Sequence, residues 1–478
     1  MIWFFIVFNL RLEPIHKKQT SFSLDKLQFN ALGKELSGTI IKQGDSGFQQ
    51  LRTGWNGLFD KFPTAVAQCN NSDDVARCIR FVKEHELEFS GRSGGHDYAG
   101  KSVCDGGLVI DLRRMHSVSV DPEARTATVG GGATMSDLDR ATEPHGLATT
   151  GGRVSTTGVG GYALGGGDGW LARKMGLACD NLLSVELVTA DGSLVTASEK
   201  EHPELFWALH GGGRNFGVAT SLTFRLHELP KVTAMLLLWA AERGQSITRA
   251  YRDFLESAPD ELGGGLVYLT GPPEEFVPES FVGKLTLGVL VVYAGPESEA
   301  RDAAAPILEL APEGQLVVET SNAEVQCMLD DPPGYRNYWS VEYLDSFPDQ
   351  AVSLFCARAD DMIVPSPSQH VLIPQGGAVA RGPAEYPIPW RSAPWCVHPF
   401  GLWEDPSDDE RGRQWARSIR ADLEPWASGA VYLNFIGDEG EDRVVAGFGR
   451  ENYERLAKVK ARYDPDNLFR LNHNIKPA

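Results

Sequence analysis

The sequence predicts an α+β protein with more than one domain, and three observations carry that expectation. Its 478 residues are enough for two or three separate cores. Between residues 60 and 230, short strands and helices are broken by glycine clusters at 94–95, 151–169, 211–213 and 217. Beyond Pro230 these clusters thin out. Apolar strands such as MLLLWA and TLGVLVVYAG then alternate with helices such as SEARDAAAPILEL, a pattern suited to an antiparallel sheet covered by helices on one side.

Taken in order, SDDVARCIRFVKEHEL places Val75, Cys78, Ile79 and Val82 at helical spacing behind Ser72 as N-cap. LEFS, GLVIDL, SVSVD and TATVG read as strands, and TMSDLDRATEPHG as a helix stopped at Gly146. TTGGRVSTTGVGGYALGGGDGW is too rich in glycine for a helix or a central strand. SVELVTADGSLVTAS is a hairpin turned on Asp191-Gly192, HPELFWALHGGG a short helix, and GVATSLTFRLHEL a strand. Proline-rich loops run through 330–395, and a long helix is expected over 406–424. The strand AVYLNFIGD and the helix NYERLAKVKARY follow. The resulting division is a tail at 1–40, a first domain at 41–230, a second at 231–424 and a returning segment at 425–478.

Composition excludes several functions. A net charge of -19 argues against nucleic acid as a partner, because neutralising phosphates needs a basic face. Seven dispersed cysteines without a C-x-x-C pair read as buried thiols in a reducing compartment and offer no zinc site. The apolar start MIWFFIVFNL is only ten residues long before Arg11 and lacks the marks of a signal peptide or a membrane span. A cytoplasmic protein, monomeric or homodimeric and without membrane contact, is the expectation.

Two motifs are decoys. Gly95 to Ser102 spells G-x-x-x-x-G-K-S, but no helix follows Ser102, and a phosphate loop needs one to present its N–H groups. Gly158-x-Gly160-x-x-Ala163 fits the dinucleotide fingerprint, yet no apolar strand precedes it. Glycine clusters on loops between strands still point to close approach of backbone to a ligand such as a pyrophosphate.

Together SGRSGGHDYAG, GVGGYALGGGDGWLARKMGLACDNL, ELFWALHGGGRNFGVATSLTFRLHEL, VYLNF and YDPDNLFRLNHNIKP resemble the flavin-linked oxidases of the vanillyl-alcohol-oxidase (PCMH) type. Within them the match is to the berberine-bridge-enzyme-like branch, which includes bacterial 6-hydroxynicotine oxidases. The resemblance covers roughly residues 45–230 and 425–478. It implies a PCMH-type FAD-binding domain split in sequence around an inserted antiparallel substrate domain, an FAD cofactor and no catalytic metal. The implied reaction is oxidation of an alcohol or amine C–H of a small-molecule substrate, with molecular oxygen as acceptor and hydrogen peroxide as product.

Site residues are implied in the same way. His96, in R-S-G-G-H, would attach covalently to the 8α-methyl of FAD. Arg92, Ser93, Gly94, Gly95 and Asp97 would lie along the cofactor, with Gly152, Thr156, Thr157, Gly158, Gly161, Tyr162, Gly217 and Val218 completing its cradle. Val154 stands where many relatives carry a second, cysteine link, so a single link is expected, and Cys179 is expected to be a core thiol. Thr157 occupies the position associated with oxygen access, and its valine-like size favours an oxidase. Asn472 and Asn474 would contact the isoalloxazine or cap turns.

Tyr432 of Y-x-N is the implied base or a packing aromatic. A free tyrosine, with a pKa of about 10, needs a neighbour that stabilises phenolate, and Tyr98 is the candidate. Asp168 replaces the tyrosine common in sugar-oxidising relatives, which argues against an oligosaccharide. It could serve as base, anchor a cationic amine or bind a turn N–H. Trp339, Trp390 and Trp395 could line a pocket or fill a core.

Overall fold

The computed structural model describes residues 26–328 and 330–478. Most of the expected tail lies outside them, but its last part does not behave as a tail. Lys26–Glu35 is a helix that buries Phe29 and Leu32 against the helix Ser72–Glu84, and the strand Thr39–Lys42 joins the first sheet. Asp74 holds this junction. Its carboxylate accepts from the backbone N–H groups of Ser37 at 2.8 Å, Gly38 at 2.9 Å and Asn70 at 3.0 Å, and from the Ser37 hydroxyl at 2.9 Å. The N-cap of the Ser72–Glu84 helix is Asn71, one residue earlier than expected.

Three larger sheets and a two-stranded one, Leu147–Ala148 with His227–Glu228, form among the described residues. The first orders Thr39–Lys42, Ala65–Gln68, Leu108–Asp111 and Phe89–Arg92, and its last three strands are parallel. The segment linking Phe89–Arg92 to Leu108–Asp111 contains no helix, so the phosphate-loop spelling is indeed a decoy. Asp111 is engaged by Arg113 at 2.6 Å. The second sheet is a five-stranded antiparallel array, with the expected hairpin Leu182–Val188 and Leu194–Ser198 at one edge. The glycine-rich stretch departs from expectation: Val159–Leu164 forms a short helix, because Gly165 to Gly167 stop it only after one and a half turns.

Residues 232–403 contribute the eight strands of the third sheet, all paired antiparallel. Alternation decides its two faces. Leu287, Val289, Leu372 and Val397 pack under the helices Gly244–Leu255, Asp349–Ala359 and Asp409–Leu423. Leu290, Val371, Ile373, His398 and Phe400 turn the other way, into a cavity shared with the first two sheets.

The expected strand at AVYLNFIGD is absent. Tyr432 is extended, but Leu433–Phe435 closes into a 3-10 turn, and this segment lies in no sheet. Residues 430–475 pack into the core of the second sheet. Lys460, fully buried with Asp464 at 2.7 Å, also donates to the carbonyls of Asn215 and Phe469, which locks the last helix onto the 213–217 loop. Among the described residues no helix is long and apolar enough to cross a membrane, and no cluster of metal-ligating side chains occurs.

Asp74→Ala is expected to lower stability by roughly 3 kcal/mol, since it strands several N–H donors; urea unfolding reads this directly. Burial alone would raise the Asp74 pKa, but the hydrogen bonds from Asn70, Ser37 and Gly38 hold it below the ordinary aspartate value. This stabilisation is therefore complete above the unfolded aspartate pKa and is lost as pH falls through the lower folded value, so the variant should lack that acid-dependent step.

Candidate active site

A cavity of about 350 Å³ lies where the three sheets and the C-terminal segment meet. One wall is the 93–99 loop, which the strand Phe89–Arg92 aims across the end of the parallel sheet. The loop packs on the 152–158 segment with no room for side chains. A Cβ on Gly94 would lie 2.4 Å from the Gly158 nitrogen and 2.7 Å from the Thr156 carbonyl oxygen. Gly95 has φ of 82°, in the left-handed region that favours glycine.

His96 sits in this wall, partly exposed to the cavity. Its Nε2 is 2.8 Å from the Thr156 hydroxyl, and its ring stacks on Trp55 with centroids 5.0 Å apart. Burial, reinforced by the nearby Arg92 cation, lowers its pKa to about 4, so the imidazole is neutral at physiological pH. Ser93 Oγ is buried beside it without a hydrogen-bond partner among the described residues.

Arg92 is not free to grip a pyrophosphate, because its guanidinium donates to the carbonyls of Leu51 and Thr53. Burial without a carboxylate partner makes this the stable arrangement. Asp97 is likewise engaged, by the Arg214 guanidinium and by the Lys101 N–H at 2.7 Å.

Most of the other expected cradle residues line the same cavity: Gly152, Thr157, Gly158, Gly161, Tyr162, Gly217, Val218 and Asn472. Gly161 has no atom within 4 Å of where a Cβ would stand, which leaves open space at its backbone. Asn472 Nδ2 donates to the Arg214 and Phe469 carbonyls, and its buried Oδ1 has no partner. Asn474 does not line the cavity, although its Oδ1 too is buried and unpartnered. Val154 is in the wall, whereas none of the seven cysteines is. Cys179 is a core thiol with no exposed surface.

At the other end Tyr432 Oη receives three N–H groups: Asn434 Nδ2 at 2.9 Å, Gly167 N at 3.1 Å and Asp168 N at 3.4 Å. Tyr432 and Asn434 converge as expected, but through the 3-10 turn and not through strand alternation. The expected pairing of Tyr432 with Tyr98 is not found. The Tyr98 hydroxyl exchanges hydrogen bonds with the backbone of Trp339, and its ring stacks on that indole at 4.7 Å, so both its donor and its acceptor are used elsewhere. Burial raises the Tyr432 pKa despite the three donors, so the phenol stays protonated at neutral pH.

Among the described residues the Asp168 carboxylate binds no turn N–H. Its Oδ2 accepts from Arg153 Nη2 at 3.0 Å and from Gln375 Nε2 at 3.3 Å. The sequence reading missed Arg153 and His398, both of which line the cavity. A lone arginine among glycines and threonines, and a lone histidine in the apolar strand Trp395–Trp403, were the available signals. Of the three tryptophans, Trp339 lines the cavity, Trp390 is buried against Tyr343 and Tyr432, and Trp395 lies under the covering helices.

These features fit an FAD. The glycine-lined 93–96 and 158–161 backbones offer side-chain-free approach, Ser93 Oγ is an unused polar group among them, and the neutral His96 ring faces the same cavity. Gly94→Ala should therefore force the two loops apart. The expected result is an at least tenfold drop in FAD retained after gel filtration, read from visible absorbance, with a thermal midpoint several degrees lower, equivalent to about 2 kcal/mol.

Comparison with known proteins agrees with this site. The family profile described as "FAD binding domain" matches residues 63–198, and "Berberine and berberine like" matches 431–476. (R)-6-hydroxynicotine oxidase of Paenarthrobacter nicotinovorans is 32% identical, covering 92% of this chain and 97% of its own. FAD-linked oxidoreductase pgmH of Aspergillus terreus is 30% identical, covering 95% and 97%. The crystal structure of 6-hydroxy-D-nicotine oxidase from Arthrobacter nicotinovorans superposes with a TM-score of 0.82 at 30% identity, covering 93% of this chain and 98% of that one. With its fold, its split FAD-binding segments and its full-length relatives in agreement, the chain belongs to the berberine-bridge-enzyme-like family of FAD-dependent oxidoreductases.

Proposed function

We propose that this protein is an oxidase whose FAD is attached through His96 alone and which oxidises an alcohol or amine C–H of a small substrate. The observation that carries the reading is the state of His96. Attachment needs an imidazole nitrogen with a free electron pair, placed beside the cofactor's ring. Neutrality of the ring, its anchoring by the Thr156 hydroxyl and its support by Trp55 supply that. Val154, with no cysteine in the wall, leaves nothing to make a second link. The chemistry supplied by bound FAD is hydride acceptance at N5, with oxygen as the final acceptor and hydrogen peroxide as product.

The chain's own residues bind, orient and manage a proton. Tyr98, Trp339 and Phe400 form one stacked wall that excludes water. Asn434, Gly167 and Asp168 present N–H groups to Tyr432 Oη, an arrangement that stabilises phenolate if the substrate's proton reaches the protein there. Asp168 acts as a positioning residue, through its backbone on Tyr432 and its side chain on Arg153. A relative is named for oxidation of 6-hydroxynicotine, a small compound.

Acid precipitation tests the linkage: the pellet should be yellow, and white in His96→Ala, with FAD left in the supernatant. A white wild-type pellet would remove the covalent claim and leave the family membership intact. Because neutral His96 is the reactive form, attachment during reconstitution should be flat from about pH 6 upward and fail as pH drops toward 4.

For Tyr432, removal of the substrate proton requires phenolate. Flavin reduction in stopped flow should rise with pH, with an apparent pKa above the ordinary tyrosine value of about 10. Tyr432→Phe should abolish that rise and slow reduction roughly 100-fold or more. An unchanged profile would assign the proton to another group.

A further inference from the structure

Two groups in the cavity are not used by the proposed cofactor chemistry, and both are incomplete. Arg153 spends one guanidinium nitrogen on Asp168, while its Nε and Nη1 are buried with no partner among the described residues. Its guanidinium lies 5.0 Å from the Trp170 ring centroid and 5.5 Å from that of Phe435, so the plane is held between aromatic groups. Unsatisfied donors on a buried cation are costly; Nε–H and Nη1 lie on different edges of the guanidinium, so each offers an oxyanion a single charge-assisted hydrogen bond.

His398 is the second group. Its Nδ1 lies 2.7 Å from the Ser340 carbonyl, which can only accept, so Nδ1 carries the hydrogen and Nε2 bears the lone pair. That Nε2 is buried, without a partner among the described residues, and on a ring in the cavity wall. The imidazole stacks on Phe435 at 4.3 Å, the same ring the Arg153 guanidinium approaches, so the open donor and the open acceptor sit around one phenyl group.

The charge balance at this end narrows the ligand. Asp168 is already neutralised by Arg153 and bonded by Gln375 Nε2, so it has no surplus charge for an amine. Asp331, the other carboxylate in this wall, accepts from Gln369 at 3.2 Å, and burial beside Asp330 lifts its pKa to about 7. Arg153 and Asp168 neutralise each other, so what this end offers an incoming group is the two unpartnered N–H donors of Arg153, which call for a hydrogen-bond acceptor.

We propose that Arg153 and His398 are specificity-determining residues that select a small aromatic acid bearing a hydroxyl: the carboxylate accepts a single hydrogen bond from Arg153 Nη1, and the hydroxyl donates to His398 Nε2. This rests on the oxidase reading above and narrows its substrate class away from cationic amines. It also assigns the glycine-loop arginine a reason to be there; the buried Arg173, by contrast, donates from all three of its nitrogens to carbonyls.

The test uses the flavin-loaded full-length protein titrated with benzoate, mandelate and benzylamine, followed by flavin absorbance and by calorimetry. Benzoate and mandelate should bind and benzylamine should not. Arg153→Met should weaken both acids roughly 10- to 100-fold and admit benzylamine, because Asp168 then loses its counter-ion. Arg153→Lys, which keeps the charge, should recover part of the acid binding and serves if Arg153→Met misfolds. His398→Phe should remove the preference for mandelate over benzoate. Preference of the wild type for benzylamine, or acid affinities unchanged in both Arg153 variants, would overturn the proposal. Loss of flavin from Arg153→Lys with acid affinity intact would do so as well, by assigning Arg153 to the cofactor. If the wild-type protein takes up no flavin, the oxidase reading fails, while calorimetry still decides between acid and amine.

Discussion

The site depends on backbone packed against backbone without side chains between. Gly94 touches Gly158, and a Cβ on Gly169 would fall 1.8 Å from the Gly151 carbonyl oxygen. The Gly165 position is equally filled, by the Asn434 amide. These contacts draw the 93–99 loop, the 151–169 stretch and the C-terminal turn into one wall. Separation by a methyl group at any of them would move His96, Asp168 or Tyr432 by a distance that hydrogen bonds of 2.8–3.4 Å do not tolerate. The glycine excess of the chain is the outcome of that constraint.

Closure of the cavity relies on buried charge. The C-terminal segment has no strand partner; beside its apolar packing, charged groups hold its place: Arg443 with Glu342, Arg420 with Glu439, and Lys460, paired with Asp464, on the Asn215 carbonyl. Buried pairs of this kind add little net stability compared with apolar packing, but breaking one leaves an uncompensated charge, so they specify position strongly. Tyr432 and Asn434 inherit their placement from this docking. The Arg153–Asp168 pair repeats the principle inside the cavity, with the difference that two donors of Arg153 remain open.

The two ends of the cavity differ in character. Around Gly94, Gly158 and Gly161 the wall is backbone and small residues, suited to a large rigid cofactor. Around Arg153 and His398 it is aromatic with a few oriented polar atoms, suited to a small ligand whose orientation matters. Alternation in the third sheet makes the second end possible: Val371, Ile373, His398 and Phe400 face the cavity because their neighbours Leu372 and Val397 face the helices.

Local sequence determined the strands and helices with clear periodicity, the absence of a helix after Ser102, and the ordered motifs that bring an FAD-binding family into view. It also has a valine, Val154, where the family resemblance places a second cysteine link. Local sequence misjudged AVYLNFIGD, whose β-like composition is overridden by a turn that docks on glycines far away in the chain. It left Lys26–Glu35 in a tail because nothing nearby reveals that Asp74 collects the N–H groups of Ser37 and Gly38. The partners of Asp168 and Tyr98 were beyond its reach for the same reason. Arg153 and Asp168 are 15 residues apart, Tyr98 and Trp339 are 241 apart, and only the packing of three sheets determines which groups share a buried hydrogen bond.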